Sequence, residues 1–186
     1  IKLCNIIEHE DYVPEPKPIA NDDDYTVGLN VCSLWVTGDF HKSWASVSAY
    51  PDKKPVLGYY DEGIPEVADW ENKWFCENGI DFQLQCWYGP ASITEPIKFP
   101  GFSHALHDGY FNSQYKSYSK FAIMWENWSS KLSKDIFLNE IWPYWCEWFF
   151  SDPRYVVINK LSIKNFDIIL LLLAPIDRST PMSYIK

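Results

Sequence analysis

Residues 64–88, IPEVADWENKWFCENGIDFQLQCWY, spell out a helix that starts, a helix that stops and a strand that follows at once. Pro65 suits a first helical position because its missing N–H would have no partner there. Val67, Trp70, Trp74 and Phe75 recur at helical spacing, and Gly79 supplies the stop. The run IDFQLQCWY then has the β-branched and aromatic content of a strand. A helix leading directly into an apolar strand is the unit of a parallel sheet with crossover connections, and it limits the chain to a few architectures.

The same alternation recurs along the chain. Residues 25–35, YTVGLNVCSLW, read as a strand, followed by a long loop over 37–55 and a brief strand in VLGYYDEG. FSHALHDGYFNSQYKS puts Leu106, Tyr110 and Phe111 on one helical face, and KFAIMWEN is again an apolar strand. Over 133–151, Ile136, Ile141, Trp145, Trp148 and Phe149 share a broad side, with Pro143 kinking the helix or opening a second one. RYVVIN reads as a further strand and the aliphatic run 168–174 as a buried one. Residues 1–24, rich in Pro, Asp and Glu, read as an extended, solvated lead-in with little packing. The expected fold class is α/β, parallel strands alternating with helices.

Composition excludes several functions. The formal net charge of -9 and the scattered basic residues leave no surface for phosphates, so nucleic acid is not an expected partner. The aliphatic run 168–174 is too short to span a bilayer, for which about 20 residues are needed, so no transmembrane segment is expected. Five cysteines without a C-x-x-C pair signal neither a disulfide scaffold nor a zinc site. No phosphate-binding glycine loop or nucleophile elbow occurs, and no cofactor is expected. His104 and His107, three apart beside Asp108, could face a metal from one helix, but a third ligand is missing and a polar helix face is the better reading. The acidic run Glu8, His9, Glu10 and Asp11 reads as solvated.

In parallel α/β folds ligands meet the carboxyl ends of the strands. Three clusters fall there: Tyr59, Tyr60, Asp61 and Glu62; Trp87 and Tyr88; Trp125, Glu126 and Asn127. Carboxylates and amides bond sugar hydroxyls and aromatic rings receive the apolar face of a sugar, so the inventory suits a carbohydrate. Ordinary capping and packing would account for any one of these residues alone.

The segments KPVLGYYDEGIPEVADWENKWFCENGIDFQLQCWY, LHDGYFNSQYKSYSKFAIMWENWS and WPYWCEWFFSDPRYVVIN, in that order, resemble the glycoside hydrolase family 99-like domain, also called the glycosyltransferase WbsX-like domain, of bacterial polysaccharide-processing proteins. The resemblance covers residues 25–159, between the lead-in 1–24 and an unmatched apolar tail 160–186. It implies a TIM-type (β/α) barrel acting on α-linked, mannose-type glycans without an organic cofactor, in the periplasm or at the cell surface. By similarity Tyr60, Asp61, Trp87, Tyr88, Trp125, Glu126 and Asn127 would line the sugar pocket, with Glu126 holding hydroxyls and Trp87 or Trp125 stacking. The family's acid/base pair lies in a Glu-Trp-x-Glu-Gly-like segment, which this sequence lacks. The expectation is therefore a partial, truncated barrel whose catalytic carboxylates are absent, binding an oligosaccharide or polysaccharide and able to self-associate through open sheet edges. A non-catalytic carbohydrate-binding or scaffold module and an inactive fragment are the alternatives.

Overall fold

A computed structural model of the protein describes residues 12–19, 25–37, 43–90, 92, 94–125 and 133–157. Its centre is a three-stranded sheet of β1 (Gly28–Val31), β2 (Phe82–Trp87) and β3 (Lys120–Trp125), in the order β1-β2-β3. Both pairings are parallel, with Gly28 opposite Phe82 and Phe82 opposite Lys120. Beyond β3 the chain returns once more: Tyr155 bridges Phe121 in parallel, and the Val156 N–H donates to the Phe121 carbonyl at 2.8 Å. The expected RYVVIN strand is thus a single bridge over its described part. The tail 160–186 lies outside the described residues.

Side chains in parallel register share a face of the sheet. Gln83, Gln85 and Trp87 therefore stand beside Phe121, Ile123 and Trp125, and the helical segments that meet this face are spread along the chain. Helix α1 (Ser43–Val47) is short, and helix α2 (Pro65–Glu77) begins at Pro65 as the sequence requires. Tyr110 and Phe149 pack on Phe121, while Trp145 meets Trp87 and Trp125 nearly edge-on. Trp87, Phe121, Tyr144, Trp145 and Phe149 have no exposed surface. Aromatic rings of this size bury about 150–250 Å² each, so they dominate the core.

Two glutamines on a buried face need partners, and α2 supplies the first. Gln83 Nε2 donates to Asn72 Oδ1 at 2.7 Å, Gln85 Nε2 donates to Gln83 Oε1 at 2.7 Å, and Asn72 Nδ2 donates to Ser113 Oγ at 2.9 Å. The chain of bonds ends on Asp69, a fully buried carboxylate of α2. Asp69 accepts from the hydroxyls of Ser113 and Tyr12 and from the backbone N–H groups of Gln114 and Tyr115. Four donors on one carboxylate are what makes a buried charge tolerable.

Three expectations are corrected. VLGYYDEG is not a strand: Gly58 takes a left-handed φ of 74° and its N–H donates to the Pro55 carbonyl, which turns the chain. Residues 101–112 are helical and bury Leu106 and Tyr110 as expected, but not as one regular helix: tight turns flank the wider Ala105–Gly109 turn, and only Lys116–Tyr118 is helical beyond Asn112. The described part of the lead-in, residues 12–19, is mostly exposed, as expected, but it is docked at points. Val13 is 3% exposed, its carbonyl accepts from the Tyr115 hydroxyl at 2.8 Å, and the Ile19 N–H donates to the Cys76 carbonyl at 3.2 Å. The helical stretch 134–150 is as expected, and Pro143 sits where wide turns give way to an α-helical turn, Trp142–Trp145.

Candidate functional site

A helix returning between parallel strands must start at their carboxyl ends. The segment before α2 and the first turn after β2, Gly101–Ser103, therefore lie at the same end of the sheet. Between them opens a cleft of about 280 Å³ lined by Val36, Asp61, Gly63, Ile64, Gly101, His104 and Asp108.

Asp61 is locked in place. Its Oδ1 accepts from the Gly63 N–H at 2.8 Å, and its Oδ2 from the Thr37 N–H and hydroxyl, each at 3.2 Å. His104 Nε2 stands 3.7 Å from Asp61 Oδ1 and 3.1 Å from the Trp35 carbonyl, while Nδ1 is 3.2 Å from the Gly101 carbonyl. A neutral ring donates from one nitrogen only, so the tautomer decides which of the two carbonyls receives the bond. Gly63 makes this approach possible: a Cβ there would lie 3.1 Å from Asp61 Oδ1 and 3.2 Å from the His104 ring.

Aromatic rings flank Asp61. Trp44 stacks on Trp35 with centroids 4.0 Å apart, donates its indole N–H to the Tyr60 carbonyl at 2.7 Å, and meets the Tyr60 ring edge-on. Behind the cleft Glu62 is 5% exposed. Its backbone N–H donates to the Trp35 carbonyl at 3.0 Å, and its Oε2 accepts from the Trp35 N–H at 2.7 Å, a reciprocal clamp on the segment leaving β1. Burial, with the Glu71 carboxyl next in weight, pushes the Glu62 carboxyl up to about 9; desolvation lifts Glu71 to about 7. Burial also raises the Tyr60 phenol, with the two glutamates adding to it.

The sequence-derived site residues separate. Asp61 lines the cleft and Tyr60 stands beside it. Trp87 is fully buried against Tyr144 and Trp145, and Trp125, 8% exposed, stacks on Phe137. Neither has a face left for a sugar, because helical stretch 134–150 covers that side of the sheet. Among the described residues their indole N–H groups and that of Trp145, all buried, have no hydrogen-bond partner. Tyr88 is half-buried against Phe102. Glu126 and Asn127 lie outside the described residues. The two histidines diverge: His104 enters the cleft, whereas His107 is buried with its Nε2 2.8 Å from the Tyr144 hydroxyl. Among the described residues no His, Cys, Asp and Glu group could hold a metal ion. Trp35, Trp44 and Glu71 escaped the sequence reading: Trp35 closed the expected strand 25–35 without being weighed for a site, and a loop and a helix interior carry no strand-end signal for the other two.

Comparison with known proteins finds no family model, curated protein or solved structure that matches this chain. Among the described residues no helix is long and apolar enough to cross a membrane.

Proposed function

We propose that the Asp61–His104 cleft binds an oligosaccharide, an α-linked, mannose-type glycan being the first choice, on a wall of the (β/α) barrel kind. The observation that carries this reading is the juxtaposition of two carboxylates, Asp61 and Asp108, with an imidazole in a glycine-floored cleft at the carboxyl ends of parallel strands. Carboxylates accept from vicinal hydroxyls and the imidazole donates to them, while Ile64 and Val36 offer apolar contact to ring carbons. The sequential order β1-β2-β3, with helical segments packed on the face that carries Trp87 and Trp125, supports the barrel-wall assignment.

Binding without turnover is the preferred form of the proposal. The acid/base segment of the glycoside hydrolase family 99-like domains has no counterpart in the sequence. The two carboxyls that burial raises, Glu62 and Glu71, are not among the residues that line the cleft.

The test is calorimetric titration with a panel of α-linked manno-oligosaccharides. Saturable binding is expected, weakened about tenfold or more in Asp108→Asn, a change at an exposed position, and in Asp61→Asn. Absence of binding across the panel, or binding indifferent to both substitutions, overturns the proposal.

A further inference from the structure

The other face of the sheet, opposite Trp87 and Trp125, carries a pair of thiols that the sugar reading does not use. Val31 pairs with Gln85 in the parallel register, so the next position sets Cys32 opposite Cys86. Neighbouring strands run about 4.8 Å apart, within the Cα separation of roughly 4.4–6.8 Å that a disulfide requires. The two sulfurs are 3.1 Å apart as thiols. Cys32 is exposed, whereas Cys86 is 3% exposed, with its sulfur 3.6 Å from Asn30 Oδ1. The Tyr88 hydroxyl lies against both sulfurs, and burial with these contacts holds the phenol in its protonated, donating form.

We propose that Cys32 and Cys86 form a thiol–disulfide exchange site for low-molecular-weight disulfides of the glutathione type, Cys32 attacking and Cys86 resolving. The Cys32 thiolate, its proton given to solvent, attacks one sulfur of the small disulfide. A mixed disulfide forms at Cys32 and one small thiolate leaves. The Cys86 sulfur, deprotonated in turn, then attacks the Cys32 sulfur, and the second small thiolate departs. Two protein thiols and one small disulfide become one protein disulfide and two small thiols, and the two electrons pass from protein to ligand. Exposure of the first sulfur and burial of the second set the order, since only Cys32 can be reached from solvent. The proposal stands independently of the glycan reading.

The experiment treats the full chain with oxidised glutathione, quenches with acid and alkylating agent, and maps cysteine-containing peptides by mass spectrometry. The expected product is a Cys32–Cys86 crosslinked peptide with the glutathione released. Cys86→Ser is expected to retain one glutathione on Cys32, and Cys32→Ser to give neither adduct nor crosslink at this pair. The proposal is overturned if wild-type protein stays glutathionylated at Cys32 without crosslinking. Closure of the link through Cys4, Cys76 or Cys146 overturns it as well. The wild-type peptide map decides even if a variant does not fold.

Discussion

Replacing Glu62 by Gln separates a buried acid from its proton. The Glu62 carboxyl is held up to about 9 and Glu71 to about 7, against an ordinary 4.5. A carboxyl raised in the folded state stabilises fully below its unfolded pKa, and that contribution is lost as pH rises through the folded value. Between those limits the folded chain holds a proton that the unfolded chain has released, so stability falls by about 1.4 kcal/mol per pH unit per group. From about pH 6 to about pH 8, Glu62 alone contributes a loss on the order of 3 kcal/mol, a large share of the stability of an ordinary domain. The glutamine side chain of Glu62→Gln matches the protonated acid in shape and can still accept from the Trp35 N–H that bonds Glu62 at 2.7 Å. Urea unfolding followed by far-ultraviolet circular dichroism across this range should show wild type weakening up to about pH 9. The variant should weaken only up to about pH 7, where Glu71 finishes titrating. Parallel curves for the two proteins would refute the assignment of a protonated, buried Glu62.

Gly109→Ala should destabilise the fold by about 2 kcal/mol or more, because a Cβ would lie 2.2 Å from the Glu62 carbonyl oxygen and backbone cannot easily retreat from backbone; thermal unfolding checks this. Asp69→Asn should cost about 3 kcal/mol, since an amide cannot accept all four hydrogen bonds, and limited proteolysis should then cut first in the lead-in that Tyr12 anchors. On the acid side, burial lowers His107 to about 3, so the unfolded chain takes up a proton that the folded one refuses and stability drops as pH falls below about 6.5. His107→Phe should flatten that acid limb in the same urea series, at whatever cost the lost Tyr144 contact adds.

Helix α2 was legible because its start and stop are local signals, a proline and a glycine, but the face it buries is Val67, Ala68, Asp69, Asn72 and Cys76 and not the side of Trp70 and Trp74 that the apolar period marked. β2 and β3 were legible for the same reason, as apolar runs of strand length. VLGYYDEG misled because its aromatic content suits a strand, yet Trp44 claims the Tyr59 and Tyr60 rings and no strand among the described residues pairs with it. The lead-in misled because one buried valine and one hydroxyl suffice to dock it, the valine through a partner 102 positions away. At the site Asp61 could be read from its strand-end setting, whereas the divergence of His104 and His107 depends on which wall each imidazole meets. The fate of Trp87 and Trp125 turned on helical stretch 134–150, whose docking face no local pattern announces.

The serial sheet also sets an order of assembly. Among the described residues each new strand adds to the one made just before it, so the β1–β2 hydrogen bonds can close before β3 is synthesised, and the β2–β3 bonds before Tyr155 emerges. The lead-in departs from this progression. Val13 and Tyr12 leave the ribosome before any strand of the sheet but find their donor and acceptor at Tyr115 and Asp69, positions that are joined only when the turn after Ser113 has formed. This early segment is therefore fastened late, against α2, like a strap drawn over a load already stacked.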